Sequence, residues 1–231
     1  VAVFSFLYSI FYDTMPFMNQ DNLIQSLLDK MHAMFDKAIG PNNRSEYMQQ
    51  HNVSGIDWHF SLSADDIINQ KIPRAVAGCT GKAKVFSKLM TEAGLKHVVL
   101  TTARIADLNA AEQDRKSGKK ERIISGHQII AVYDENGKLR AFDPGRKELR
   151  YIKSDIQVGN IINFHFGGEV VPHRITAILT PAEYNKIDTY KKLRDVYVNG
   201  VDTRGGDFVR GKNKLGMFGK LKQILTAKQN D

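Results

Sequence analysis

The chain reads as an α+β protein in which a helix packs on an antiparallel sheet. Three observations predict this. Strongly periodic helical stretches dominate the first hundred residues, β-rich stretches joined by turn chemistry follow them, and no regular strand–helix alternation of the kind that builds a parallel sheet intervenes. Hydrophobic residues make up 42% of the 231 and charged residues 25%. Those values are ordinary for a chain that buries a core and exclude wholesale disorder.

Taken in order, Val1 to Tyr12 is apolar for twelve residues. That is too short to cross a bilayer as a helix. It lacks the preceding basic stretch of an export signal, so a structural strand or helix is expected. The sequence does not open on Met, as a piece of a longer chain would not. Asp21 is placed to cap a helix whose apolar face is Leu23, Ile24, Leu27, Leu28, Met31, Met34 and Phe35, stopped by Gly40-Pro41. Residues 42–61 are polar and irregular around Trp58, so a loop is expected. Ser63 caps a short helix over 64–69, before Pro73.

Gly78-Cys79 opens a second strong helix, with Ala83, Phe86, Leu89, Met90 and Ala93 on its apolar face and Gly94 ending it. Residues 97–102 read as a strand, and 107–121 as a long loop or loop-helix. A hairpin comes next: 129–133 is β-rich, Asp134-Glu-Asn-Gly137 is turn chemistry, and 138–142 returns. A further strand over 148–152 follows. Thr180-Pro-Ala-Glu183 is a capping box with Pro at the first helical position, and Tyr184, Ile187, Tyr190, Leu193 and Val196 continue that helix. No internal repeat is visible. The one boundary, the Gly-rich stretch 200–211, divides a body over 1–200 from a basic extension over 201–231.

Charge is uneven. The net charge is +8, and residues 203–231 hold seven basic and two acidic side chains, which supplies +5 of it. The body is therefore nearly balanced, and nucleic acid is not an expected partner. In the extension, Met217, Phe218, Leu221, Ile224 and Leu225 face away from the lysines. Such an amphipathic helix suits docking on its own domain or contact with an anionic membrane surface. The single cysteine, Cys79, excludes an internal disulfide and a cysteine-based zinc site, and leaves the cellular compartment open.

That cysteine sits on the first turn of a predicted helix, where free backbone N–H groups and the helix dipole favour a thiolate. His127 starts the outgoing strand of the hairpin and Asp143 ends the returning one. Antiparallel strands joined by a tight turn bring their outer ends side by side. A carboxylate there fixes the imidazole tautomer and turns the other ring nitrogen to the thiol. This is the nucleophile, base and orienter set that acyl transfer uses. Each residue alone reads more readily as structural; the combination is what is specific.

The same residues carry a resemblance. Gly78-Cys79-Thr80-Gly81-Lys82-Ala83, with Phe86, Leu89 and Gly94-Leu95, resembles the nucleophile helix of the transglutaminase-like superfamily. Residues 126–133 resemble its histidine strand and Phe142-Asp143-Pro144 its aspartate strand, so the likeness spans about 70–152. It implies a papain-like fold and thioester chemistry on a peptide or glutamine carboxamide, with no cofactor. Protein cross-linking enzymes, proteases, deamidases and inactive relatives all fall within it. Thr80 stands where cross-linking members often carry an aromatic, so the reaction subtype stays open. The Arg-Gly-Gly approach of arylamine acetyltransferases is not seen, and one cysteine excludes the paired zinc cysteines of the glycan-releasing amidases. An oxyanion hole would use the Cys79 N–H and one further donor, with Gln70 and Trp58 as candidates. His165, Glu169 and His173 lack the spacing of a helical metal site, and no metal is expected. The alternative is an inactive module of this fold that binds a protein partner or a membrane surface through the basic extension.

Overall fold

The computed structural model describes residues 19–38, 43–53, 56–120 and 122–204. The apolar stretch 1–12, the Gly40-Pro41 stop and the basic extension beyond Arg204 lie outside them. Among the described residues, four helices come first: α1 (Gln20–Asp36), α2 (Arg44–Gln50), α3 (Ile56–Ser61) and α4 (Ala64–Asn69). The long helix α5 (Arg74–Glu92) follows, then β1 (His97–Arg104) and α6 (Ile105–Lys116). The hairpin strands are β2 (Gly126–Tyr133) and β3 (Leu139–Phe142), followed by β4 (Ile161–Phe166) and β5 (Glu169–Leu179). Two short helices, α7 (Pro181–Asn185) and α8 (Tyr190–Asn199), precede the two-residue β6 (Val201–Asp202).

The strands form one curled, half-barrel sheet in the order β3-β2-β1-β5-β4. Every pairing on that path is antiparallel, and only β6 joins β5 in parallel. The expected α+β class therefore holds. Period-two alternation divides β1, β2 and β3 between two cores. Val99, Ile130, Val132 and Phe142 face the helices, whereas Val98, Leu100, Ile129 and Ala131 face the inside of the curl with Ile162 and Phe164. Helix α5 buries Ala83, Phe86, Leu89 and Met90, as its spacing predicts. Phe86 meets Phe142 edge-to-face at 5.7 Å, which docks the helix on the hairpin. Truncating such a buried aromatic to alanine typically costs about 3–5 kcal/mol.

Several local expectations change. Asn19, not Asp21, caps α1 by accepting the Asp21 N–H. Asp21 lies in the first turn and binds the Tyr151 hydroxyl and Arg140, at 2.7 and 3.2 Å. The stretch 42–61 holds α2 and α3 rather than a loop. Asn43 caps α2 through the Glu46 N–H, yet α2 buries only Tyr47, so it leaves no apolar period to read. Ser63 makes the expected cap with a full capping box to Asp66. The 107–121 segment takes the loop-helix alternative, with α6 running to Lys116. The strand expected over 148–152 is a single bridge between Phe142 and Tyr151. The helix expected from 180 onward is two helices, because Thr189 accepts the Lys192 N–H and caps a new one. β5 was not anticipated, since Pro172 interrupts its pattern. The proline is accommodated because β1 pairs with β5 only as far as His173. Val201-Asp202 belongs to the sheet, so the body runs past residue 200. Among the described residues, no helix is long and apolar enough to cross a membrane.

Candidate active site

Gly78 interrupts α5 with φ 61° and ψ −162°. An L side chain would be strained there, and a Cβ would also sit 2.9 Å from Arg44 Nη2. The break leaves one turn before it and starts the long run of the helix at Cys79. The thiol thus sits on a first turn, as the sequence predicts, half-buried at the end of the sheet.

The hairpin register assembles the other two residues. Ile130 pairs with Phe142, so Asp143 falls opposite Ile129, two residues and one same-face step from His127. The His127 Nε2–H donates to Asp143 Oδ2 at 2.9 Å. The second carboxylate oxygen, Oδ1, accepts the Gly145 N–H at 2.7 Å. Both oxygens being engaged, the carboxylate cannot turn away. The imidazole edge packs against Phe164 and Phe166, with centroids 4.9 and 5.7 Å apart. Nε2 is committed to Asp143, which leaves Nδ1 for the thiol.

On the opposite face of β2, Gln128 carries an amide that the sequence reading did not single out. Cys79 Sγ–H and the Thr80 hydroxyl both donate to its Oε1, at 2.8 and 3.0 Å, and its Nε2 donates to the Tyr197 hydroxyl at 2.8 Å. Gln128, Thr80 and Tyr197 are all buried. Gly126 makes this possible: a Cβ there would lie 2.0 Å from the Tyr197 oxygen. A glycine immediately before His127 is the space that Tyr197 fills. The signal that would have found Gln128 is its position, a polar residue on the strand face it shares with Ile130 and Val132.

Burial pushes the Cys79 thiol up, but the hydrogen bond and positive charge of His127, the Gln128 backbone N–H and Lys82 together hold it below the ordinary thiol range. Burial pushes His127 down, but Asp143 and Cys79 outweigh it and hold the imidazole at about 10. Burial raises Asp143, while His127, the Gly145 N–H and Lys82 bring it below the usual carboxylate value. The three favour a thiolate, an imidazolium and a carboxylate. His173 is driven down to about 4, first by burial and then by the His127 charge. It is therefore neutral and shares a 3.0 Å hydrogen bond with Thr102.

Neither oxyanion candidate hydrogen-bonds to Cys79 or Gln128. Gln70 is the exposed C-cap of α4. Trp58 stacks on Tyr47 at 5.7 Å and packs against the core. His165 lies on β4. Among the described residues, no three His, Cys, Asp or Glu side chains converge as a metal site. Comparison with protein families, curated proteins and solved structures finds no match to this chain.

Proposed function

We propose that the chain is a thiol-dependent acyl-transfer enzyme with a papain- and transglutaminase-like site, acting on a peptide or glutamine carboxamide. The observation that carries this reading is the half-buried thiol on a helix first turn, electrostatically coupled to an imidazole whose far nitrogen is fixed on a buried carboxylate. Cys79 thiolate attacks the carbonyl carbon, and the π electrons move onto oxygen. The tetrahedral oxyanion collapses, the C–N bond breaks, and the leaving nitrogen takes the proton from His127 Nδ1. Water or a primary amine then attacks the thioester and loses its proton to Nδ1, and the acyl–sulfur bond breaks to restore the thiolate–imidazolium pair. Asp143 holds the ring in place through both halves. No cofactor enters any step.

One observation favours the second reading, an inactive interaction module of the same fold. The Cys79 S–H is satisfied by an internal acceptor, Gln128 Oε1, as a structural thiol would be. Incubation with a glutamine-rich protein, with and without a primary amine, separates the readings. Activity predicts ammonia release or cleavage and a Cys79-linked acyl adduct in the intact mass, all absent from Cys79→Ala. Identical traces for the wild type and Cys79→Ala would favour the module.

A further inference from the structure

We propose that Gln128 is a positioning residue for the nucleophile: its side-chain amide turns over when Cys79 ionises, presenting Nε2–H to the thiolate while the Tyr197 hydroxyl donates to Oε1. The proposal rests on the acyl-transfer reading of Cys79. With the thiol neutral, Oε1 accepts from Cys79 Sγ at 2.8 Å and from Thr80 Oγ1 at 3.0 Å, and Nε2 donates to Tyr197 at 2.8 Å. Once the proton has passed to His127, that arrangement aims the negative end of a carbonyl at an anion. Rotation about the last side-chain torsion, which is broad for an amide, exchanges oxygen and nitrogen at nearly the same sites. Every partner tolerates the exchange. The Thr80 and Tyr197 hydroxyls each donate and accept, and the thiol becomes an acceptor by losing its proton.

Apolar packing alone does not call for an amide here; its polar partners are the buried Thr80 and Tyr197 hydroxyls and Cys79. Gln128 shares its strand face with Ile130 and Val132, both buried, and a leucine would fill the position without a polar group. Burial makes an unpaired amide costly, so the group persists with its bonds made in both states. The charged and titratable groups facing Cys79 are His127 from β2, Lys82 from α5, Tyr184 from α7 and Tyr197 from α8, with Asp143 acting through His127 and Lys82. Burial holds both tyrosines well above the ordinary phenol value, so they remain neutral hydroxyls. Gln128 is then the neutral group able to answer the change of charge at sulfur by reorienting.

The sign of one shift decides the matter. A fixed Oε1 opposes the thiolate, so removing it would lower the titration midpoint of Cys79. A turned amide supports the thiolate with a charge-assisted bond, so removing it raises the midpoint. The experiment is the pH profile of Cys79 alkylation by iodoacetamide in the wild type, Gln128→Met and Gln128→Leu, with near-ultraviolet circular dichroism verifying the fold. The expected result is a rise of about one unit in both variants, a roughly tenfold loss of thiolate on the acid side. An unchanged or lowered midpoint overturns the proposal and leaves the acyl-transfer reading standing. An ordinary thiol midpoint in the wild type removes both. If neither variant folds, wild-type protein with ¹⁵N-labelled glutamine decides. The Gln128 amide protons are expected to move downfield with the Cys79 midpoint, and amide protons that do not move with it overturn the proposal.

Discussion

The His127 Nε2–H donates to Asp143 Oδ2 at 2.9 Å, and this bond leaves Nδ1 as the ring nitrogen not held by the carboxylate. The hairpin creates it: the turn over 134–137 sets a register in which the two residues share a face. Asp143→Asn keeps the shape but can offer an N–H to Nε2, which favours the tautomer with its proton on Nδ1. Turnover is expected to fall by about 10²–10⁴-fold with the fold retained. The check is kcat together with a denaturant midpoint. An activity loss below threefold would contradict the assignment.

The pH profile follows from the same pair. The Cys79 thiol is held below its ordinary range and His127 is raised to about 10. Activity is therefore expected to rise with thiolate formation below the usual thiol midpoint and to fall as His127 deprotonates near 10. Stability follows the imidazole with a defined sign. Because its folded value lies above the unfolded one, the stabilisation from His127 is complete below pH about 6.5 and lost as pH rises through about 10. Urea midpoints of wild type and His127→Gln measure it: the gap is expected to shrink between pH 6.5 and 10.5.

Gly145 sets the reach of the carboxylate. A Cβ at this position would lie 2.9 Å from Asp143 Oδ1 and 3.2 Å from Lys82 Nζ. Gly145→Ala should displace Asp143 while leaving both cores intact. The expected loss in kcat/KM is about 10- to 10²-fold, since small misplacements near the reacting groups are amplified in rate. Steady-state kinetics beside a thermal melt separate this from unfolding.

Lys84 ties the early helices to α5. Its buried ammonium donates to the carbonyls of Phe60 at 2.6 Å and Leu62 at 2.8 Å, at the end of α3. Lys84→Met strands both acceptors, and chemical denaturation is expected to report a loss of about 2–4 kcal/mol.

How much of this was legible depended on whether a feature was local. His127 and Asp143 mark themselves by turn chemistry, and their approach follows from the hairpin alone, whereas Cys79 marks itself only by a helix start. Gln128 did not, because its role exists only where Tyr197 and Thr80 meet it across two elements. Tyr197 was hidden by the break at Thr189: a single continuous helix carries Leu193 and Val196 inward but gives no reason to look at the residue after them. β5 was obscured by Pro172, and α2 by having Tyr47 as its one buried residue. Gln70 and Trp58 are the expected oxyanion candidates, whereas their own contacts cap α4 and stack on α2.

The proposed function requires that Cys79 and His127 form a poised thiolate–imidazolium pair. The most direct measurement is the rate of Cys79 alkylation by iodoacetamide from pH 4 to 10, in the wild type and in His127→Ala. With one thiol in the chain, the signal has a single source. Rapid alkylation well below pH 8.5, collapsing to ordinary thiol behaviour in the variant, is the result predicted here. Slow alkylation that follows an ordinary thiol titration in both proteins would contradict it and make Cys79 a structural residue.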